Sequence, residues 1–360
     1  MLGKSRVETG GGPAEQSKKR SLGAFVCRHG LVSFYALAYF MSWLFWLPYV
    51  LSQNGLGVLD VSFPKILGDT QLAGILPGAY LGPLGAAFVV TALSEGRPGL
   101  RRWAGRLFRW GVNWRWYALA LLGVPALLVA GTLVVSPGSA AGLRFPPLGA
   151  LLAYAPMLLI QMATTGLAEE PGWRDFALVR HQRLHGPLLG TLILGVLWAG
   201  WHLPLFLTEW GEGAGGFNPM AVFQFVAFAV LLSVFITWLF NRTRESLPVV
   251  MLTHVSVYNF SSVMFFAVFT TVDPFGPVLN WAGIVGFGAV ALALVAATRG
   301  RLGYRPELLD DQPESEPGGV TAADRGATGG GGDPRGTGGA TAEHAVTRTE
   351  KTRPLARSTE

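Results

Sequence analysis

A chain of 360 residues that is 50% hydrophobic and only 14% charged, with a mean hydropathy of +0.39, lacks the charge content of a soluble domain and is expected to be an integral membrane protein. The net charge of +6 and the pI of about 9.7 do not call for nucleic acid, because the Lys and Arg residues fall in tails and short loops, where the positive-inside rule already accounts for them. The single cysteine, Cys27, excludes an intramolecular disulfide and leaves no thiol nucleophile in the membrane core.

The predicted elements begin with a basic N-terminal tail over residues 1–30, rich in Gly, Ser and charge, which is expected to be disordered and cytoplasmic. Lys18, Lys19, Arg20 and Arg28 precede a long apolar run without a small-residue cleavage site, so the run reads as a retained first helix rather than a signal peptide. About eight apolar spans follow, over 31–52, 72–94, 117–136, 148–168, 187–207, 219–240, 247–269 and 277–298, each near the ~20 residues a helix needs to cross a bilayer. The fold class is therefore all-α, one polytopic transmembrane bundle over 31–298. A Gly-, Thr- and Pro-rich tail over 299–360 is expected to be disordered.

Between the second and third spans, Arg97, Arg101, Arg102, Arg106, Arg109 and Arg115 interleave with Trp103, Phe108, Trp110 and Trp114, the pattern of an amphipathic segment at the headgroups. Alternate loops carry the basic residues, while the opposite loops offer little beyond Lys65 and Arg144. Both termini are accordingly expected in the cytoplasm, with an even number of spans in a cell membrane.

Few side chains in or beside the spans can do chemistry: Glu169, Glu170, Arg174, His202, His254 and the amide Asn259. On a helix, Glu170 and Arg174 share a face at i, i+4 while Glu169 points elsewhere, so the second glutamate reads as the arginine's ion partner and the first is left free. A carboxylate desolvated in a membrane cavity is a stronger base than one in water, which suits activation of water. The bland alternative is that the three residues form only a solvated helix end. His202 lies in Trp-Ala-Gly-Trp-His-Leu-Pro, with Trp198 one turn earlier and Pro204 freeing the carbonyl of Gly200. A lone histidine there is more often a hydrogen-bonded core residue.

His254 sits among Thr253, Ser256, Tyr258 and Asn259, a cluster too polar for simple packing, and a histidine–asparagine donor pair could stabilise an oxyanion. Glu169, His202 and His254 could instead hold a divalent metal such as zinc, although no His-Glu-x-x-His occurs. On ideal helices Glu169 and His202 lie at similar depths, about 22 Å from the intervening turn, whereas His254 is only ~12 Å from its own helix start. That mismatch demands tilt or an unequal loop.

Glu-Glu-x-x-x-Arg at Glu169, Glu170 and Arg174, an aromatic-x-x-x-His at Trp198 and His202, and a His followed by Asn at His254 and Asn259 together resemble the CPBP intramembrane protease family, which contains the CAAX prenyl endopeptidases and the Abi bacteriocin-processing proteins. The resemblance covers roughly 145–265, and its words Glu-Glu-Pro-Gly-Trp-Arg and Trp-His-Leu-Pro-Leu-Phe are similar to bacterial members. It implies endopeptidase cleavage of a membrane-associated, CAAX-like protein or peptide, within the membrane or near its cytoplasmic face. Glu169 would activate water with help from His202, Glu170 would be held by Arg174, and His254 with Asn259 would polarise the carbonyl, with or without a metal. Two departures stand out. Asp175 follows the arginine where the family usually has Gly, and Tyr258 stands four residues after His254 where the family usually has Asn. Asn259, one residue further on, is rotated by about 100° on a regular helix. A noncatalytic immunity or scaffold protein and a proton-coupled transporter are the competing readings.

Overall fold

The computed structural model describes residues 25–67, 70–211, 217–273 and 276–306. The remainder of both expected tails, 1–24 and 307–360, lies outside the described residues. Eight helices are long and apolar enough to cross a membrane: α1 (Gly30–Leu51), α2 (Leu76–Ser94), α4 (Trp114–Val135), α5 (Leu148–His185), α6 (Pro187–Leu207), α7 (Pro219–Arg242), α8 (Leu247–Val268) and α9 (Val278–Thr298). The ninth helix, α3 (Gly96–Leu107), carries the arginine cluster. Among the described residues there is no strand beyond a single isolated bridge, Leu143 with Phe269, so the chain is an all-α polytopic membrane protein.

The main departure from the apolar runs is α5. Its sequence turns polar at Glu169, where a span was expected to end, yet the helix continues to His185. Residues 168–179 are buried throughout, although the first half of the same helix is largely exposed. Asp175 and Arg180 of the second half pair with Arg106 and Glu95 on neighbouring segments, a tertiary effect that no local pattern encodes. Structure also extends into both expected tails, as helix at the N-terminal margin and as turns at the C-terminal one. Residues 25–28 are already helical, and beyond α9 the chain turns back through Arg299 so that Leu302 is buried and its carbonyl accepts from Asn241 Nδ2 at 3.0 Å.

Helices α6, α7, α9 and α4 pack side by side in that order, α2 lies along α1, and α8 runs through the middle against α4, α5 and α7. With 67% of its apolar window buried, α8 is the most enclosed span, which is why its polar cluster can face protein instead of lipid. Small residues allow the closest approaches, as expected where lipid offers no hydrophobic drive between helices. A Cβ on Gly172 would lie 2.6 Å from Pro83 O, so α5 can sit this close to α2 only with glycine there.

The two ends of the bundle differ. At one end α3 folds over α5 and the α7–α8 turn. Arg106 Nη1 contacts Asp175 Oδ1 at 2.7 Å, and its Nε contacts Glu245 Oε2 at 2.6 Å. Burial works against the Arg106 charge, but Asp175 and Glu245 outweigh it and raise the guanidinium above its ordinary pKa. Asp175, the departure from the family pattern, is thereby the anchor of this helix. At the other end, Glu209 ties two loops together by accepting from Asn54 Nδ2 at 2.6 Å and Thr70 Oγ1 at 3.1 Å.

Candidate active site

Glu169 and Glu170 occupy one α-helical turn, Leu167–Glu170, between two wide π-helical stretches, Met162–Gly166 and Pro171–Leu178. Pro171 explains the second stretch: it lacks an amide donor and its ring collides with the carbonyl four residues back, so the turn opens. Wide turns of this kind often accompany functional sites because they re-aim the side chains beside them.

The pair is divided as the helix geometry predicts. Glu170 is fully buried, with its Oε2 3.3 Å from Arg174 Nε and its Oε1 accepting from His254 Nδ1 at 2.7 Å. The histidine as a partner of Glu170 is additional to the expected arginine. Among the described residues Glu169 has no such ion pair, and its Oε2 accepts from Trp198 Nε1 at 2.8 Å. With Glu169, Glu170 and Arg174 at 7%, 0% and 0% exposure, the solvated helix-end alternative is set aside.

Trp198 joins the histidines to this turn. Its indole donates to Glu169, its carbonyl accepts from His202 Nδ1 at 2.9 Å, and its ring meets the His254 ring edge-on at 5.1 Å. The Arg174 guanidinium lies over the same indole, 4.4 Å from the ring centre. With Nδ1 donating to a carbonyl, a neutral His202 has Nε2 left as an acceptor. His202 is further boxed by Trp201, Trp210 and Phe225, with Trp210 stacked on it at 5.3 Å. Depth is matched between α5 and α8 because α8 begins recessed: residues 247–251 are all buried, and Ser246 Oγ donates to Arg109 O at 2.7 Å from beneath the arginine segment.

Asn259 is not brought into this constellation. Its Nδ2 donates to Tyr154 O at 3.0 Å, on the side of α8 that faces the first half of α5, and it lines neither cavity described below. No wide turn intervenes to correct the rotation, since the π-helical stretch of α8 starts only at Phe260. Tyr258 takes the inward position instead, one helical turn beyond His254 with ring centres 6.0 Å apart. The signal for it was in the sequence, as an aromatic hydroxyl at the i+4 position.

Two cavities meet these side chains. A small one of about 140 Å³ is lined by Glu169, His202, Tyr258, Trp201 and Trp210, and a larger one of about 730 Å³ by His254, Trp198, Tyr258 and Trp210. Tyr258 and Trp210 border both. Among the described residues no three His, Cys, Asp or Glu side chains group as a metal ion requires. His202 and His254 each engage a protein partner through Nδ1 and Glu169 through one oxygen, so the two Nε2 atoms and the other Glu169 oxygen are the atoms that would hold a metal ion.

Residues 151–261 match the family model of Rce1-like type II CAAX prenyl endopeptidases. Over this segment, about a third of the chain, the match supports assignment to the CPBP/CAAX proteases. The matched segment runs from the first half of α5 into α8 and so contains every candidate residue of this site. A comparison with curated proteins finds no match. The eight spans make the chain a multi-pass membrane protein, and its matched segment is similar to intramembrane proteases of the type II CAAX class.

Proposed function

We propose that the chain is an intramembrane endopeptidase in which Glu169 activates water for attack on a peptide carbonyl. The observation that carries this reading is the contrast within the glutamate pair. Glu170 is committed to Arg174 and His254, while Glu169 meets only a neutral indole donor and borders a cavity large enough for water. One Glu169 oxygen and His202 Nε2 would hold the attacking water between two acceptors and take its proton. A carboxylate on His254 Nδ1 fixes the ring, leaving Nε2 toward the larger cavity; as an imidazolium this edge donates to the carbonyl oxygen.

The Tyr258 hydroxyl, bordering both cavities, is the second donor to the developing oxyanion, in the role the family motif gives to Asn. As the C–N bond breaks, protonated Glu169 gives its proton to the leaving nitrogen, which departs as a neutral amine. Among its neighbours, Arg174 neutralises Glu170 and shields it from competing for that proton. The substrate is a membrane-associated protein or peptide.

The test uses the full chain in lipid nanodiscs with a panel of membrane peptides, comparing the wild type with Glu169→Gln, which keeps the acceptor for Trp198 but is no base. Cleavage lost in the variant with unchanged thermal unfolding supports the mechanism, and cleavage retained ends it. Running the same assay with and without a chelator decides the metal question. Loss with chelator, restored by zinc, would replace the metal-free scheme.

A further inference from the structure

We propose, resting on the proteolytic reading above, that the site receives its substrate from the end of the bundle opposite the arginines, as an apolar polypeptide segment at the extracytoplasmic boundary of the membrane. The cavities point that way. The small one runs from Glu169 to Ile66, Leu67 and Gln71 in and after the α1–α2 loop, and the large one runs from His254 to Gly211, Gln224 and Asn280 near the α6–α7 and α8–α9 connections. All of these connections lie at one end. None of the lining residues comes from 95–113, 180–186, 241–246 or 299–306, the segments at the other end.

That other end is shut. Arg106 clamps Asp175 and Glu245, Trp103 Nε1 donates to Pro171 O at 3.0 Å immediately after the glutamate pair, and Arg180 pairs with Glu95. A substrate coming from this side would have to break a buried ion cluster before reaching Glu169. The shut end also holds the charge: Arg97, Arg101, Arg102, Arg106, Arg109, Arg242, Arg244, Arg299 and Arg301 all lie there, against Lys65 and Arg144 at the open end. By the positive-inside rule the shut end is cytoplasmic and the open end is not.

The lining tells what enters. Phe206, Phe225, Phe228 and Leu279 make the larger cavity apolar, and its volume of about 730 Å³ falls in the ~300–1,000 Å³ range of ligand sites. Among its polar residues Gln224 is 3% exposed with its Nε2 unpartnered, and its Oε1 accepts from Asn280 Nδ2 at 3.4 Å. Such an amide pair matches the donor and acceptor of a main chain. At the mouth, Ile66 and Leu67 are 45% and 63% exposed, an apolar lip suited to the same kind of segment.

The experiment reads sidedness with a membrane-impermeant charged maleimide on the full-length chain in sealed spheroplasts and in inverted vesicles. The native Cys27, exposed beside the arginine end, is the control. In a Cys27→Ser background, Ser262→Cys and Asn280→Cys are expected to react at least tenfold faster in spheroplasts, whereas Cys27 in the wild type reacts at least tenfold faster in inverted vesicles. Reaction of either cavity variant mainly from inverted vesicles, equally from both sides, or on the same side as Cys27 overturns the proposal. Maleimide attached from outside to the Ser262→Cys variant should also lower cleavage at least tenfold, and unchanged cleavage counts against it. Failure of the proteolytic reading looks different: cleavage persists in Glu169→Gln while the labelling pattern stands.

Discussion

Two regions of this bundle bury carboxylates, and they do so in opposite ways. At the arginine end Asp175 is held by Arg106, and deeper in the bundle Glu170 is held by Arg174 and His254. Toward the cavities, Glu169 has only an indole N–H and a space beside it. A charge carried into a membrane protein is costly unless paired, so Asp175 and Glu170 are explained by the stability of their pairs. Glu169 has no ion pair among the described residues, and that contrast is what the proposed mechanism rests on.

The sharpest way to break this comparison is at Glu169. Glu169→Gln should lower cleavage by about 10²- to 10⁴-fold, the usual range for a general base, with thermal unfolding in detergent essentially unchanged. Glu170→Ala should do the reverse in kind, costing about 3–5 kcal/mol of stability by leaving Arg174 buried without its carboxylate. A Glu170 variant that unfolds like the wild type would erase the distinction between the two glutamates. Tyr258→Phe, which deletes one hydroxyl, should reduce kcat by about 10²- to 10³-fold if it faces the oxyanion, with little change in KM.

At the ionic end the effects are smaller. Asp175→Gly, restoring the residue usual in the family, should cost about 1.5–3 kcal/mol in denaturant unfolding through the lost charged hydrogen bond to Arg106, and cleavage should stay within a few-fold. Smallest is Asn259→Ala, where loss of the bond to Tyr154 O should cost about 1 kcal/mol and leave kcat intact. A large fall in kcat there would return the amide to the oxyanion role and remove Tyr258 from it.

The spans were legible because lipid imposes a composition on each of them, and Leu31, Pro219 and Leu247 mark their beginnings within a residue or so of the observed helices. The polar stretch after Glu170 was not. Residues 171–185 read as a loop by hydropathy, and only the distant Arg106, Glu95 and Glu245 make them buried helix. In the site, the i, i+4 pairing of Glu170 with Arg174 followed from spacing alone, as did the rotation of Asn259. The bond from His254 to Glu170 spans 84 residues and that from Trp198 to Glu169 spans 29, so each depends on how α5, α6 and α8 are packed and has no local signature.

The Arg106 clamp has a further consequence for biogenesis. Its members lie in the α2–α3 region, in α5 and in the turn before α8, so Arg106 is 139 residues from Glu245. A nascent chain cannot close the clamp until the first seven helices have been made. Until then the charged half of α5 lacks a partner at its surface, and the turn bearing Glu169 and Glu170 has no His254 to meet. Assembly of the proposed site is thus deferred to the end of synthesis, when nearly the whole bundle has been inserted.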